Sequence, residues 1–181
     1  MAMTAPDKLR QRARLAYEWG RLWRAATKAW PAPVLTAISC WLCHEPGLSL
    51  SIGVGLLALA TGLGWYGRTP AQAASAGMRA GIGAFAVPVA AFHSYFAPEC
   101  CTLAAMLIVN GGCGVGVGVL LSLESTRLQS RRNVFLLWAS AVAALCGMLG
   151  CILFGPVGLA GMAAGVLLST APVAIYRRAI A

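Results

Sequence analysis

Residues 134–154, VFLLWASAVAALCGMLGCILF, form an apolar stretch without a single charged side chain. A helix needs about 20 mostly apolar residues to cross the roughly 30 Å of hydrocarbon in a bilayer. Of the 181 residues, 59% are hydrophobic and only 10% are charged, whereas soluble domains carry about 25% charged residues. The stretch therefore predicts a transmembrane helix, and the composition predicts an all-α integral membrane protein.

Similar stretches recur along the chain and predict a bundle over residues 29–181. The predicted spans are residues 30–44, 48–66, 76–96, 102–123, 134–154 and 157–175. The first, Trp30–His44, is short. However, Pro31 and Pro33 suit a first helical turn, and Glu45–Pro46–Gly47 is a turn signal. A short first helix is therefore predicted as well.

The positions of the basic residues decide between five and six spans. The chain has 14 Lys and Arg against 5 Asp and Glu, and basic residues collect in cytoplasmic loops. With six spans, every Lys and Arg falls on the cytoplasmic side, and the outer turns at residues 45–47, 97–99 and 155–156 hold none. We therefore predict a bacterial-type inner-membrane protein with six spans and both termini in the cytoplasm. This bias explains the net charge of +9 without a nucleic-acid partner.

Residues 1–28 form a cytoplasmic arm of different character. Basic residues are spread along it, unlike the brief basic region of a signal peptide, so we expect it to be retained. Apolar and basic residues recur in it at helical spacing: Leu15, Trp19, Leu22 and Trp23, with Arg14, Arg21 and Arg24 among them. A basic amphipathic helix of this kind lies on anionic lipid or docks a protein partner, and both interpretations remain open.

Small residues four apart predict close helix packing in the bundle. The pattern occurs at Gly77–Gly81, Gly112–Gly116, Gly114–Gly118 and Gly161–Gly165. Such pairs let helix backbones approach in lipid, where packing drives association. We favour packing within one chain over a dimer interface.

Most of the seven cysteines lie near the outer face of the six-span arrangement. Cys40, Cys43 and His44 end the first span, and residues three and four apart share a helix face. His93 lies one turn below the outer end of the third span. The candidate redox or metal residues are Cys40, Cys43, His44, His93, Glu99, Cys100 and Cys101, with Cys151 as a secondary candidate.

These residues leave several chemistries open. The run Cys40–His44 has the C-x-x-C-H pattern of haem attachment, but no globular domain encloses a haem and no axial Met is evident, so haem is not favoured. Thiolate and imidazole suit zinc or copper(I). A C-x-x-C pair also exchanges disulfides, here with Cys100 or Cys101. Finally, cysteines pack well as small hydrophobic side chains, so no cofactor is required.

Two families share features with this chain. A C-x-x-C at the outer end of one span, with a second cysteine pair further on, is similar to disulfide-generating membrane oxidoreductases. Those enzymes carry the second pair in a long external loop, which this chain lacks. The whole layout resembles polytopic membrane anti-sigma factors, through the arm Leu9–Lys28, the six spans and the outer residues Cys40, Cys43, Cys100 and Cys101.

The second resemblance implies a regulator that holds a cytoplasmic partner such as a sigma factor and responds to metal or oxidant. The alternative is a membrane thiol–disulfide oxidoreductase. A small metal-ion carrier ranks third, because Asn110 and Cys113 are the only polar candidates near the bilayer centre. Hydrolytic chemistry is not predicted, because the acidic residues are isolated and the glycines at 111–118 lie in an apolar span. No catalytic residue is assigned.

Overall fold

The computed structural model describes the backbone of residues 5–42, 46–95, 103–126, 132–152 and 155–178, and the side chains of residues 9–42, 46–91, 107–126, 132–152 and 157–169. Over these residues the protein is all-α and has seven helices. They are α1 (Ala5–Lys28), α2 (Pro31–Leu42), α3 (Pro46–Tyr66), α4 (Arg68–Tyr95), α5 (Leu103–Ser125), α6 (Arg132–Cys151) and α7 (Gly155–Arg178). The predicted all-α class is confirmed, and each helix covers one predicted segment.

Four of the described helices are long and apolar enough to cross a membrane. They comprise Pro46–Tyr66, Arg68–Ala91, Leu107–Ser125 and Arg132–Cys151. The apolar helix Pro31–Leu42 is shorter, and so is Val157–Ser169, the stretch of α7 whose side chains the structure describes. Large apolar side chains also face outward, with Ile108 73% and Leu168 71% exposed. These surfaces are those of a multi-pass membrane protein, because lipid takes the place of water around them.

The connection between α3 and α4 is a single residue, Gly67. Its φ of 141° lies in a region that glycine adopts readily and other residues rarely do. The carbonyl of Gly67 accepts a hydrogen bond from the amide of Ala71, 3.0 Å away, which starts α4. The helix therefore begins well before residue 76, where hydropathy placed the span, because its first turns carry polar residues that are still helical.

Helices α4 and α6 pack closely and run parallel. Gly77 abuts Ala139 and Val142, and Gly81 abuts Ala143 and Cys146. Further along both helices, a Cβ on Gly150 would lie only 2.7 Å from the carbonyl oxygen of Phe85. The small-residue pattern at Gly77–Gly81 therefore packs within the chain, as predicted.

Helices α5 and α7 form a second parallel pair. Gly111 lies against Gly161 and Gly165, and Gly114 lies against Gly165 and Met162. By contrast, a Cβ on Gly112 or on Gly116 would meet no atom within 4 Å. That pattern therefore lies on an open face of α5, and the prediction of close packing is wrong for it within the described chain.

The helices form three layers with α6 near the centre. The parallel pair α4–α6 is the middle layer. On one side of it lies α3, against which α1 and α2 pack, and on the other side lies the pair α5–α7. Residues of α6 such as Phe135, Ala139, Val142 and Leu149 are almost fully buried.

We call the two ends of the bundle the cysteine end and the basic end. At the cysteine end, where α2 stops and α3 starts, Ser39 contacts Ser49 of α3 and Leu149 of α6. At the basic end, where the α3–α4 turn lies, Arg79 pairs with Glu124 at 2.8 Å. Arg132 donates from Nε to the Ser125 hydroxyl at 2.7 Å, also at the basic end.

Candidate functional site

Cys40 lies in the last turns of α2, at the cysteine end, and carries a free thiol. The side chain is half-buried. Its Sγ lies 3.8 Å from the carbonyl oxygen of Pro46, the first residue of α3. The thiol is thus placed near the end of α2, beside the first residue of α3.

The neighbouring residue, Ser39, ties α2 to the rest of the bundle. Its Oγ lies 2.9 Å from the carbonyl oxygen of Leu149 in α6 and 3.1 Å from the Oγ of Ser49 in α3. Because a hydroxyl carries one proton, Ser39 donates to the Leu149 carbonyl and accepts from the Ser49 hydroxyl. Both serines are buried, at 1% and 0% exposure. This contact is not predictable from the sequence, in which the only signal is two serines ten residues apart on either side of a predicted turn.

Replacing Ser39 with Ala is expected to lower the free energy of unfolding by about 1 kcal/mol, since hydrogen bonds between helices in membranes contribute about 0.6–1.7 kcal/mol each. Ser51→Ala is the matched control, because Ser51 is exposed and bonds the Gly47 carbonyl of its own helix at 2.9 Å. Reversible unfolding in mixed micelles measures both. Equal effects of the two substitutions would contradict a special role for Ser39.

Cys151, the secondary candidate, lies at the cysteine end of α6 but inside the bundle. It is fully buried, and its Sγ donates to the Oδ1 of Asn110 in α5 at 3.0 Å. Asn110 is also fully buried. The thiol therefore gives a polar group inside the bundle one hydrogen-bond partner, and it is closed to reagents from outside.

The two other described cysteines lie within the helices. Cys146 is fully buried between α4 and α6, and its Sγ lies 3.5 Å from the Sδ of Met78. Cys113 is half-buried on α5 and packs against the core formed with Met162 and Cys151. Both behave as small apolar side chains at helix contacts.

Most of the other candidate residues lie outside the described segments: Cys43, His44, Glu99, Cys100 and Cys101. His93 lies in α4, but its side chain is outside them too. Within the segments that the structure describes, no three His, Cys, Asp or Glu side chains group as metal ligands. The zinc or copper site therefore stays a prediction.

The residues predicted as one surface of the arm divide into two groups. Leu15, Trp19 and Trp23 are 63%, 67% and 64% exposed, and Arg14 and Arg24 are exposed as well. Leu22 and Arg21 are half-buried. Arg21 donates from a terminal guanidinium nitrogen to the carbonyl oxygen of Trp65, and it also lies over the ring of Tyr17 at 5.9 Å.

The arm is therefore docked on the bundle by one face. Ala25 packs against Gly64 of α3, where a Cβ would lie 2.8 Å from the Ala25 Cβ. The Trp65 carbonyl belongs to the last turn of α3, whose carbonyls lack partners within the helix and carry the negative end of its dipole. Arg21 satisfies this group, and the aromatic face with Trp19 and Trp23 stays open.

No protein-family model, curated protein or solved structure matches this chain.

Proposed function

We propose that this protein is a thiol- or metal-responsive membrane regulator with six spans and both termini in the cytoplasm of a bacterial-type inner membrane. The basic end then faces the cytoplasm and the cysteine end faces outward. Arg79 and Arg132 both make their contacts at the basic end. This supports the orientation, because the positive-inside bias favours basic residues on the cytoplasmic side.

One structural observation carries the proposal: α1 and the helix with Cys40 belong to one unit. Only Ala29 and Trp30 separate α1 from α2, and both helices pack on α3. Cys40 is near one end of α2, and the arm leaves from the other. A displacement of α2 along its axis is therefore transmitted to α1 through a very short connection.

The chemistry at the outer end is a change at Cys40 and Cys43. In oxidation by a peroxide, the two thiols form a disulfide, and the peroxide takes up their two hydrogens and is reduced to water. In metal capture, the thiolates release protons and bind zinc or copper(I), with His44 as a third ligand. Either change alters the α2–α3 connection beside the Ser39 contact. The exposed Trp19 and Trp23 face of α1 is the surface that holds a partner such as a sigma factor.

A signal of this kind requires the two states of the bundle to differ in their affinity for the oxidant or metal. The test uses the full chain in sealed vesicles. The basic end of the protein faces the outer medium, which contains chymotrypsin. Peroxide or zinc is supplied on the inner side of the vesicles, where the cysteine end lies. We expect either treatment to change the rate of cleavage at Tyr17, Trp19 and Trp23.

The variant Cys40→Ser/Cys43→Ser is expected to lose this response while keeping the basal cleavage rate. Cys113→Ser is the control and should keep the response. A normal response in the double variant would show that the proposed sensing site is wrong. A membrane-impermeant maleimide tests the orientation separately, since it should label Cys40 from the outer side only. Repeated oxidation of the Cys40–Cys43 pair by quinone would favour the oxidoreductase instead.

A further inference from the structure

The basic end contains an open cleft between the last turns of α1 and the first turns of α4. Its volume is about 770 Å³, and its floor includes the turn at Gly67. The side chains that give the cleft its chemistry are Arg21, Lys28, Trp30, Arg68, Gln72 and Ser75. Three are cations and none is an acid, so the cleft has a positive potential.

The cations of the cleft have few partners within the part of the chain that the structure describes. Among the described residues, neither Lys28 nor Arg68 has a carboxylate partner, and the ion pair at this end joins Arg79 to Glu124 instead. Arg21 uses one terminal nitrogen for the Trp65 carbonyl. A guanidinium has five N–H donors, so others remain for a ligand. The cleft thus offers charge and hydrogen-bond donors to an anion.

The position of the cleft identifies the source of that anion. Trp30, at its edge, is 63% exposed, and Tyr66, beside Gly67, is 85% exposed. Exposed Trp and Tyr at the ends of apolar helices are typical of the headgroup level of a bilayer. Apolar side chains such as Val54 and Leu57 are exposed further along α3, where acyl chains would lie.

We propose that this cleft binds the phosphate of an anionic phospholipid headgroup, with Lys28 and Arg68 as its principal cationic contacts. Gln72 donates a hydrogen bond to the glycerol part of the headgroup. The Ser75 hydroxyl, which donates its own proton to the Gln72 carbonyl at 2.9 Å, accepts one from it. Basic pockets between helices on the cytoplasmic side of membrane proteins suit such lipids. A soluble phosphate ester shares this chemistry, but it gains nothing from the aromatic edge or the apolar surface beyond it.

A bound lipid would join the arm to the bundle. Lys28 is the last residue of α1, and Arg68 is the first residue of α4. A phosphate that contacts Lys28 and Arg68 together bridges the two helices. It therefore strengthens the docking of the arm, which Arg21 already provides. This role does not depend on the cysteine end, so it is tested independently of the proposed thiol response.

The experiment measures lipid binding by the full chain purified in a neutral detergent. Native mass spectrometry and thermal unfolding are followed as short-chain phosphatidylglycerol or phosphatidylcholine is added. We expect phosphatidylglycerol to bind and stabilise the protein. Lys28→Gln/Arg68→Gln should weaken its binding about 30-fold, because each cation near the headgroup contributes about 1 kcal/mol.

The matched control is Arg14→Gln/Arg24→Gln, which removes two exposed cations of α1 that lie outside the cleft. It should retain phosphatidylglycerol binding. Equal losses in the two double variants would overturn the proposal, because they would indicate a general effect of charge. Stabilisation by inorganic phosphate or glycerol phosphate to the same extent as by the lipid would also overturn it, in favour of a soluble anion.

Discussion

Replacing Gly114 with Ala is expected to lower the free energy of unfolding by about 2 kcal/mol, because overpacking a close contact costs about 1–3 kcal/mol. A Cβ at Gly114 would lie 2.6 Å from the carbonyl oxygen of Met162 and 2.9 Å from the amide nitrogen of Val166. Both are backbone atoms of α7 and cannot rotate away. The two helices must therefore separate, which loses contacts along the whole α5–α7 pair.

Gly112→Ala is the control on the same helix. A Cβ there meets nothing within 4 Å, and alanine favours a helix over glycine by up to about 1 kcal/mol. This variant should be neutral or slightly more stable in the same unfolding measurement in mixed micelles. If Gly112→Ala destabilised the protein as much as Gly114→Ala, the assignment of Gly114 to the tight interface would be wrong.

Arg21→Gln is expected to loosen the arm and raise the rate of chymotryptic cleavage at Tyr17, Trp19 and Trp23 about tenfold or more. Hydrogen bonds to charged groups contribute about 1.5–3 kcal/mol, and about 1.4 kcal/mol corresponds to a factor of ten in an equilibrium. The variant removes the bond to the Trp65 carbonyl. The helix can then leave α3 and unfold locally, because a helix without tertiary packing is only marginally stable. The backbone beside these already exposed aromatic side chains then becomes accessible to the protease.

Arg24→Gln removes the same charge one turn away, where the side chain is exposed, and should leave the cleavage rate unchanged. The comparison is made in detergent with phosphatidylcholine alone, because Arg21 also borders the proposed lipid cleft. Chymotrypsin is suitable because neither substitution alters its cleavage sites. Equal rates for the two variants would show that Arg21 does not hold the arm.

Hydropathy was sufficient to predict the helices but not all their limits. The apolar stretch at 134–154 corresponds to α6, Arg132–Cys151, since length and composition alone fix such a helix. The start of α4 at Arg68 could not be predicted in this way. The residues before 76 are polar enough to end a span, yet Gly67 and the hydrogen bond to Ala71 already start the helix there.

The position of the candidate site could be predicted from the sequence only in part. The distribution of basic residues and the six predicted spans indicated that Cys40 and Cys151 lie at one end of the bundle. The contact of Ser39 with Leu149 shows that the ends of α2 and α6 do lie together. Spacing did not indicate that Cys151 is enclosed and bonded to Asn110. That depends on the rotation of α5 and α6 about their axes, which a nearly uniform apolar sequence does not specify.

The parallel pairing of helices also constrains how the bundle is made. The consecutive helices α4 and α5 run antiparallel, so α4 cannot pack against its parallel partner α6 until α5 has been synthesised and has crossed back. Until then, the face of α4 with Gly77 and Gly81 has only lipid or a temporary neighbour against it. The same holds for α5 until α7 leaves the ribosome. The tightest contacts of the mature protein are thus the last to form during biosynthesis, and the insertion machinery or the surrounding lipid must shield two glycine faces in the meantime.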